Sequence, residues 1–194
     1  MNKEIIESII KTELKDYIDF ATTLAKGEHK TLSPPFISYS NSDIDMSDTN
    51  KEYYRTFACV DLDAIDHNLK EVKAKLTDGV LSLAIVKADA YGHGAVPIAF
   101  SLNALGVNAF CVATITEAIQ LRESGVVGEI LILGYTHPVD FPLLNRYELT
   151  QAVISYDYAQ LLDSYTSNIR VHVAIDTGMH RLGVDVRDLD TILA

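Results

Sequence analysis

The chain has 194 residues, of which 48% are apolar, so it can bury a core and wholesale disorder is excluded. Its net charge of −11, from 16 basic and 27 acidic residues, argues against nucleic acid or an anionic membrane surface as the main partner. No apolar run approaches the ~20 residues of a membrane span, and the N-terminus lacks the apolar stretch of a secretory signal. A cytoplasmic protein is therefore expected.

Residues 1–55 are predicted to form an extension that is separate from the rest of the chain. Apolar residues recur at helical spacing across 3–27, which predicts one or two amphipathic helices. Residues 32–52 contain Pro34–Pro35 and many serines without periodicity, which predicts a polar linker in a loop conformation. We expect this extension to carry no chemistry, and a regulatory or partner-binding role is the alternative.

From residue 56 onward, short apolar strands alternate with amphipathic helices. A first strand covers 57–60 and Asp63 is the predicted cap of the helix that follows; the next strands centre near 85, 111, 132, 153 and 173. The spacing of about 20 to 26 residues predicts repeated strand–helix units and a parallel sheet covered by helices. Two architectures agree with this pattern: an open doubly wound sheet and a closed (β/α)₈ barrel. In both, ligands bind at the carboxyl ends of the strands.

Two unusual segments fall at such strand ends. Lys87 ends the apolar run 81–86 and opens a glycine-rich turn, and desolvation of an ammonium group is costly unless it serves a purpose such as carbonyl chemistry. Arg181 lies in the turn Asp176–Gly183, where a guanidinium suits a carboxylate or a phenolate oxygen. Taken separately, Lys87 could be a solvated residue at the rim of the sheet, and Asp176–Gly183 could be a structural turn. Because both are expected at the carboxyl ends of strands, their location favours one functional site that contains both.

Three other residues receive plainer interpretations. Cys59 and Cys111 lie in apolar surroundings, which predicts core thiols in a reducing compartment instead of a disulfide. His172, in the last strand, is interpreted as a core or rim histidine instead of a proton shuttle. No metal site is predicted.

Three motifs together resemble the signatures of the alanine racemase family. They are V-D-L-D-A-I-x-H-N-L at 60–69, K-A-D-A-Y-G-H-G at 87–94 and D-T-G-M-x-R-L-G at 176–183, in the order that the family has them. The resemblance covers about residues 56–187 and does not reach 1–55. It implies an α/β fold, a partial (β/α)₈ TIM-type barrel with about five of its eight strands, preceded by the helical extension. Residues 56–194 would then be the N-terminal portion of that barrel, truncated at its C-terminus.

The resemblance also implies a cofactor and roles for three residues. Lys87 would hold pyridoxal 5'-phosphate as an aldimine and would act as the catalytic base on one face of the substrate Cα. Tyr91 would bind the cofactor phosphate, and Arg181 would lie near the cofactor's phenolic oxygen and the substrate carboxylate. The implied activity is the interconversion of L- and D-alanine, which supplies D-alanine for peptidoglycan, and the implied full-length assembly is a homodimer.

Two departures from the family pattern qualify these expectations. Ala174 stands where the family commonly has a lysine, and some serine-preferring relatives in vancomycin-resistant bacteria also depart there, so serine is an alternative substrate. Three barrel strands and the C-terminal domain with the second base are not found in the 194 residues. We expect this chain alone to be inactive as a racemase. A non-catalytic fragment that binds pyridoxal phosphate, or that needs a partner chain, is a further alternative.

Overall fold

The computed structural model describes residues 37–40, 58–165 and 168–193. The helices predicted within 3–27 lie outside these residues. None of the helices in the described ranges is both long and apolar enough to cross a membrane.

A small parallel sheet comes first in the described chain. Strand β1 (Ile37–Ser40) pairs with strand β2 (Ala58–Asp61) in parallel register. The predicted loop conformation of 32–52 is therefore wrong at Ile37–Ser40, because a strand partner distant in sequence overrides the local composition. The other residues of 32–52 lie outside the described ranges. Helix α1 (Leu62–Lys73) begins after β2, and the Asp61 carboxylate caps it by accepting the Ala64 N–H at 3.0 Å.

The prediction of Asp63 as the cap of α1 is wrong by two residues. Strand β2 extends through Asp61, so the helix begins immediately afterwards at Leu62. Asp63 lies in the first turn of the helix instead, where its negative charge favours the exposed N–H groups.

The main body of the structure is a sheet of five parallel strands, which confirms the predicted parallel sheet. Its strands are β3 (Ala84–Ile85), β4 (Ala109–Val112), β5 (Glu129–Ile132), β6 (Thr150–Val153) and β7 (Arg170–Val173), and their spatial order is their chain order. The helices are α2 (Ala95–Ala104), α3 (Ile115–Glu123), α4 (Phe141–Arg146), α5 (Tyr156–Asp163) and α6 (Leu189–Leu193). Single 3₁₀ turns cover Pro138–Asp140 and Val186–Asp188.

The two faces of this sheet differ in how well they are covered. The helical face holds the large buried core, which includes Phe110, Leu121, Ile130, Ile132 and Leu144. Burial of each such side chain stabilises the fold by about 1.5–3 kcal/mol. On the opposite face, the described residues form only a small buried cluster of Cys111, Leu131 and Ala152. Most of the hydrophobic stabilisation therefore comes from the helical face.

The two cysteines and His172 differ in exposure. Cys111 is buried, and that burial raises the pKa of its thiol. Cys59 is exposed in the structure, so its prediction as a core thiol is wrong. Strand β2 turns the side chain of Val60 into the core, and the alternation of a strand directs its neighbour Cys59 away from it. His172 is exposed on the edge strand β7, which agrees with a rim position and excludes a core position.

Candidate active site at the carboxyl ends of the strands

The Lys87 turn, defined here as residues 87–92, follows β3 and has an unusual backbone. Ala88, Asp89, Ala90 and Tyr91 all have φ between 51° and 55°, in the left-handed region. Each non-glycine residue in that conformation costs roughly 1–2 kcal/mol, because its Cβ crowds the following carbonyl oxygen. Four such residues in succession persist only where the surrounding structure holds them.

Two carboxylates hold the Lys87 turn from the side. Glu117 in α3 accepts the N–H of Ala88 on its Oε1 at 2.9 Å. Asp89 accepts the N–H of Ala95, the first residue of α2, on its Oδ1 at 2.7 Å. The first bond ties the turn to α3, and the second ties it to the otherwise uncapped N-terminus of α2.

The base of the Lys87 turn is anchored in the core. Val86 and Ala90 are buried, and the Ala90 N–H donates to the Val86 carbonyl at 2.9 Å. The Val86 N–H donates in turn to the Cys111 carbonyl of β4, also at 2.9 Å. His93 Nδ1 lies 2.9 Å from the carbonyl oxygen of Ala90. The backbone that leads into and out of the turn is thus fixed to the sheet.

The side chains of Lys87 and Tyr91 are available to a ligand. Lys87 is half-buried, and within the described ranges its ammonium makes no hydrogen bond or ion pair. Tyr91 is 62% exposed, and its hydroxyl likewise has no partner among the described residues. Neither polar group would have to break a hydrogen bond or ion pair with another described residue to bind a ligand.

The second segment, the Asp176 loop (residues 176–183), is organised by one carboxylate. Asp176 Oδ1 accepts the N–H groups of Gly178 at 2.9 Å and of His180 at 3.0 Å. Its Oδ2 lies 2.8 Å from His180 Nδ1. The two backbone N–H donors, that of His180 first, are the main reason that the pKa of Asp176 is lowered to about 2.

Both ends of the Asp176 loop are fixed to the sheet. The Asp176 N–H donates to the Val184 carbonyl at 2.9 Å, and the Gly183 N–H donates to the Ile154 carbonyl, beyond β6, at 2.9 Å. Gly183 has φ of 114°, and a Cβ there would lie 2.7 Å from the Asp176 nitrogen. Only glycine fits, so the loop can close against the strand that starts it.

Arg181 is exposed in this loop, and no acidic partner for its guanidinium exists among the described residues. Strands β4, β5 and β6 separate β3 from β7, and no hydrogen bond joins Lys87 to Arg181. The structure therefore places the two predicted residues at the same end of one sheet but at opposite edges.

Between these edges, the loop after β5 is held by buried polar side chains. The Thr136 hydroxyl donates to Gln151 Oε1 at 2.7 Å, and Gln151 Nε2 donates to the Gly134 carbonyl at 2.7 Å. Tyr158 accepts the Thr136 N–H at 3.1 Å and donates to its carbonyl at 3.0 Å. Burial raises the pKa of the Tyr158 hydroxyl. Every polar group in this network is paired, so the loop is a rigid part of the carboxyl-end surface.

Residues 60–194 match the family model described as "Alanine racemase, N-terminal domain". The chain belongs to the alanine racemase family. The match includes all three motifs, from Val60 to Gly183, and it contains both the Lys87 turn and the Asp176 loop.

Relatives and solved structures agree with this family. A serine/alanine racemase from Enterococcus gallinarum is 47% identical over 131 residues, 68% of this chain and 19% of that protein. An alanine racemase from Desulfovibrio desulfuricans is 42% identical over 132 residues, 66% of this chain and 36% of that protein. The structure of alanine racemase from E. faecalis superposes with a TM-score of 0.65 at 35% identity, over 69% of this chain and 38% of that one.

The structure of the Corynebacterium glutamicum alanine racemase superposes with a TM-score of 0.62 at 40% identity, over 69% of this chain and 39% of that one. The likeness to alanine racemases confirms the predicted fold class, a partial (β/α)₈ barrel. The chain spans less than two fifths of the length of each of these four proteins.

Sequence reasoning did not identify three residues that build this candidate site. Glu117 is recognisable only as the partner of Thr114 in a capping box, and nothing local points to its bond with Ala88. Asp89 precedes the helix that it caps by six residues, beyond the spacing of an ordinary N-cap. His180 contacts Asp176 through both its backbone N–H and its ring, and the motif alone does not indicate either contact. A search for unpaired helix N-termini next to motif carboxylates could have found Asp89.

Proposed function

We propose that this chain is the N-terminal part of a pyridoxal-phosphate-dependent racemase that interconverts L- and D-alanine and supplies D-alanine for peptidoglycan. In this proposal residues 56–194 are the barrel portion, and residues 1–55 are an extension outside the chemistry. The observation that carries the proposal is the half-buried Lys87 amine, unpaired within the described ranges, on a turn whose backbone is held from several sides.

The residues present fit pyridoxal phosphate. An aldehyde requires an amine that is not engaged in an ion pair, and Lys87 meets this condition among the described residues. A phosphate requires a hydrogen-bond donor, and the exposed Tyr91 hydroxyl can donate without losing a partner among the described residues. A phenolate or a carboxylate matches the guanidinium of Arg181, which lacks an acidic partner in the described structure.

The bound cofactor supplies an electron sink that stabilises negative charge on the substrate Cα. The part of Lys87 is then to hold the cofactor and to take or return the proton on one face of Cα. Arg181 orients the substrate by its carboxylate, and Tyr91 fixes the opposite end of the cofactor. Racemisation also requires a proton-transferring group on the other face, which we assign to the remainder of the full-length protein.

Borohydride trapping tests the role of Lys87. The chain is mixed with pyridoxal phosphate, reduced and digested, and mass spectrometry locates the modified lysine. We expect modification in the peptide that contains Lys87, none at that position in Lys87→Ala, and normal modification in Lys75→Ala, which changes an exposed lysine beyond α1. Modification spread over surface lysines, or uptake that is unchanged in Lys87→Ala, would overturn the assignment.

Serine is the second candidate substrate, and two observations favour it. Ala174 stands at the motif position where a lysine is common, and the 47% identical relative from Enterococcus gallinarum is a serine/alanine racemase. In the full-length protein, racemisation of L-serine is compared with that of L-alanine before and after Ala174→Lys. If Ala174 sets the preference, the substitution lowers the serine-to-alanine ratio; an unchanged ratio assigns the preference to other residues.

The proposal extends to the assembly and the compartment. We propose a homodimer in the cytoplasm, and we expect residues 1–194 alone to be inactive because the second proton-transferring group is assigned elsewhere. Two free cysteines, Cys59 and Cys111, support a reducing compartment. Measurable racemisation of alanine by this chain alone would contradict the division of roles.

A further inference from the structure

Glu117 links the Lys87 turn to the start of α3. Its Oε1 accepts the Ala88 N–H at 2.9 Å, and its Oε2 accepts the Ala113 N–H at 2.7 Å and the Thr114 N–H at 3.3 Å. One half-buried carboxylate thus bonds three backbone donors on two segments that are separated by 25 residues or more in the chain.

The bond to Ala88 is not part of the capping box. A capping box needs the Thr114 hydroxyl on the Glu117 N–H and the Glu117 carboxylate on the Thr114 N–H, and both are present. These contacts use Oε2 and leave Oε1 for another donor. Oε1 bonds the residue that directly follows Lys87, where the left-handed backbone begins.

We propose that Glu117 is a positioning residue that holds the Lys87 turn in its left-handed conformation and thereby sets where the Lys87 amine meets the cofactor. This inference rests on the proposed function of Lys87. It assigns to one carboxylate two separable tasks, starting α3 and fixing the lysine-bearing turn.

The chemistry of the contact explains why a carboxylate is needed. All three bonded atoms are N–H donors, so the side chain must accept on both oxygens. A glutamine of the same length has one accepting oxygen. Its NH₂ group is a donor, so it would face at least one backbone N–H donor without forming a hydrogen bond. An alanine leaves the Ala88 N–H without its partner.

The matched variants are Glu117→Ala, Glu117→Gln and Thr114→Ala. Thr114→Ala removes the hydroxyl of the capping box but keeps the bond from Ala88 to Glu117. Hydrogen–deuterium exchange of the peptide covering 86–94 is compared among the variants and normalised to the exchange of the β5 peptide, which corrects for a change in global stability.

A second readout is the rate at which pyridoxal phosphate becomes trappable on Lys87 by borohydride. In Glu117→Ala we expect exchange of the turn to rise about tenfold and the trapping rate to fall about tenfold, because the turn opens locally. In Thr114→Ala both readouts stay within about twofold of the unmodified chain, and Glu117→Gln lies between the two.

If Glu117→Ala and Thr114→Ala change exchange and trapping equally, Glu117 acts only as a capping residue and the proposal is overturned. An unchanged exchange of the turn in Glu117→Ala would overturn it as well. If the unmodified chain takes up no pyridoxal phosphate, the proposed function fails in this chain, and the exchange measurement still decides whether Glu117 holds the turn.

Discussion

The Lys87 turn and the Asp176 loop occupy the same end of the sheet but are held in different ways. The Lys87 turn is bonded to Glu117 of α3, which is distant in sequence, and the preceding Val86 is bonded to the Cys111 carbonyl of β4. The Asp176 loop is bonded mainly by its own first residue, which accepts N–H groups two and four residues further on. One segment is a product of the tertiary fold, and the other forms from local sequence and charge.

Because the two segments are held by different contacts, different perturbations should release them. Loss of core packing should release the Lys87 turn, because Val86 and Ala90 at its base belong to the core. Protonation of one carboxylate should release the Asp176 loop, since Asp176 supplies its internal bonds. Four substitutions or changes of condition test the separation, beginning with the largest effect.

Phe110→Ala should have the largest effect. Phe110 is fully buried and lies opposite Ala84 in the register of β3 with β4. We expect a loss of about 3–5 kcal/mol in the free energy of unfolding, measured with urea. Below the unfolding transition, hydrogen exchange should rise in 86–92 more than in 176–183. Phe110→Leu is the milder control, and an equal rise in both segments would contradict the comparison.

Gly183→Ala should have the second-largest effect on stability. The new Cβ would lie 2.7 Å from the Asp176 nitrogen at φ of 114°, so strain and a clash combine to a loss of about 1–3 kcal/mol. Gly178→Ala is the matched control, since Gly178 has φ of 122° but no atom within 4 Å of a Cβ. Thermal unfolding should therefore shift more for Gly183→Ala. Equal shifts would show that the close approach of Gly183 to the backbone of residues 174–176 is unimportant.

Asp89→Ala should cost about 1 kcal/mol, the usual loss for an N-terminal helix cap. The Ala95 N–H loses its acceptor, so amide exchange should increase at the start of α2 and in the Lys87 turn while 176–183 stays unchanged. Asp89→Asn keeps an accepting oxygen and should lose little. A response of the Asp176 loop to Asp89→Ala would argue that the two segments are coupled.

Acidification should have the smallest effect and should act on the Asp176 loop. The pKa of Asp176 in the folded chain is about 2, below its ordinary value of about 3.9. Its contribution is therefore complete above pH ~4 and is lost as the pH falls through about 2. Nuclear magnetic resonance of the Gly178 amide should report that midpoint, and Asp176→Asn should abolish the titration. A midpoint near 4 would mean that the loop bonds do not form.

The sequence predicts the strands of the sheet well and the turns between them less well. Apolar runs such as 109–112 and 130–132 are buried on both faces, so their composition alone identifies them. The capping box of Thr114 and Glu117 is equally local, because both of its bonds join residues that are three apart in the chain. The run 81–86 forms a strand only at Ala84–Ile85, where the register with β4 is found.

The conformation of the Lys87 turn lies beyond sequence reasoning. Four left-handed residues without glycine are unfavourable by local preference, and the offsetting contact comes from Glu117, 29 residues after Ala88. The motif predicts that Lys87 matters, and it contains no information on how its backbone is held. Residues that are distant in sequence and reach the site only in the folded chain cannot be identified from one sequence.

The chain-order arrangement of the five strands also bears on how the protein folds. Every strand pairs with its neighbour in the chain, so each unit needs only the adjacent unit to bury its core face, as in a repeat protein. Loops between contacting segments are short, which keeps the entropy of closure low. Folding can therefore start at the buried central strands β4, β5 and β6 and add units outward, and unfolding should begin at β7, whose residues are the most exposed of this sheet.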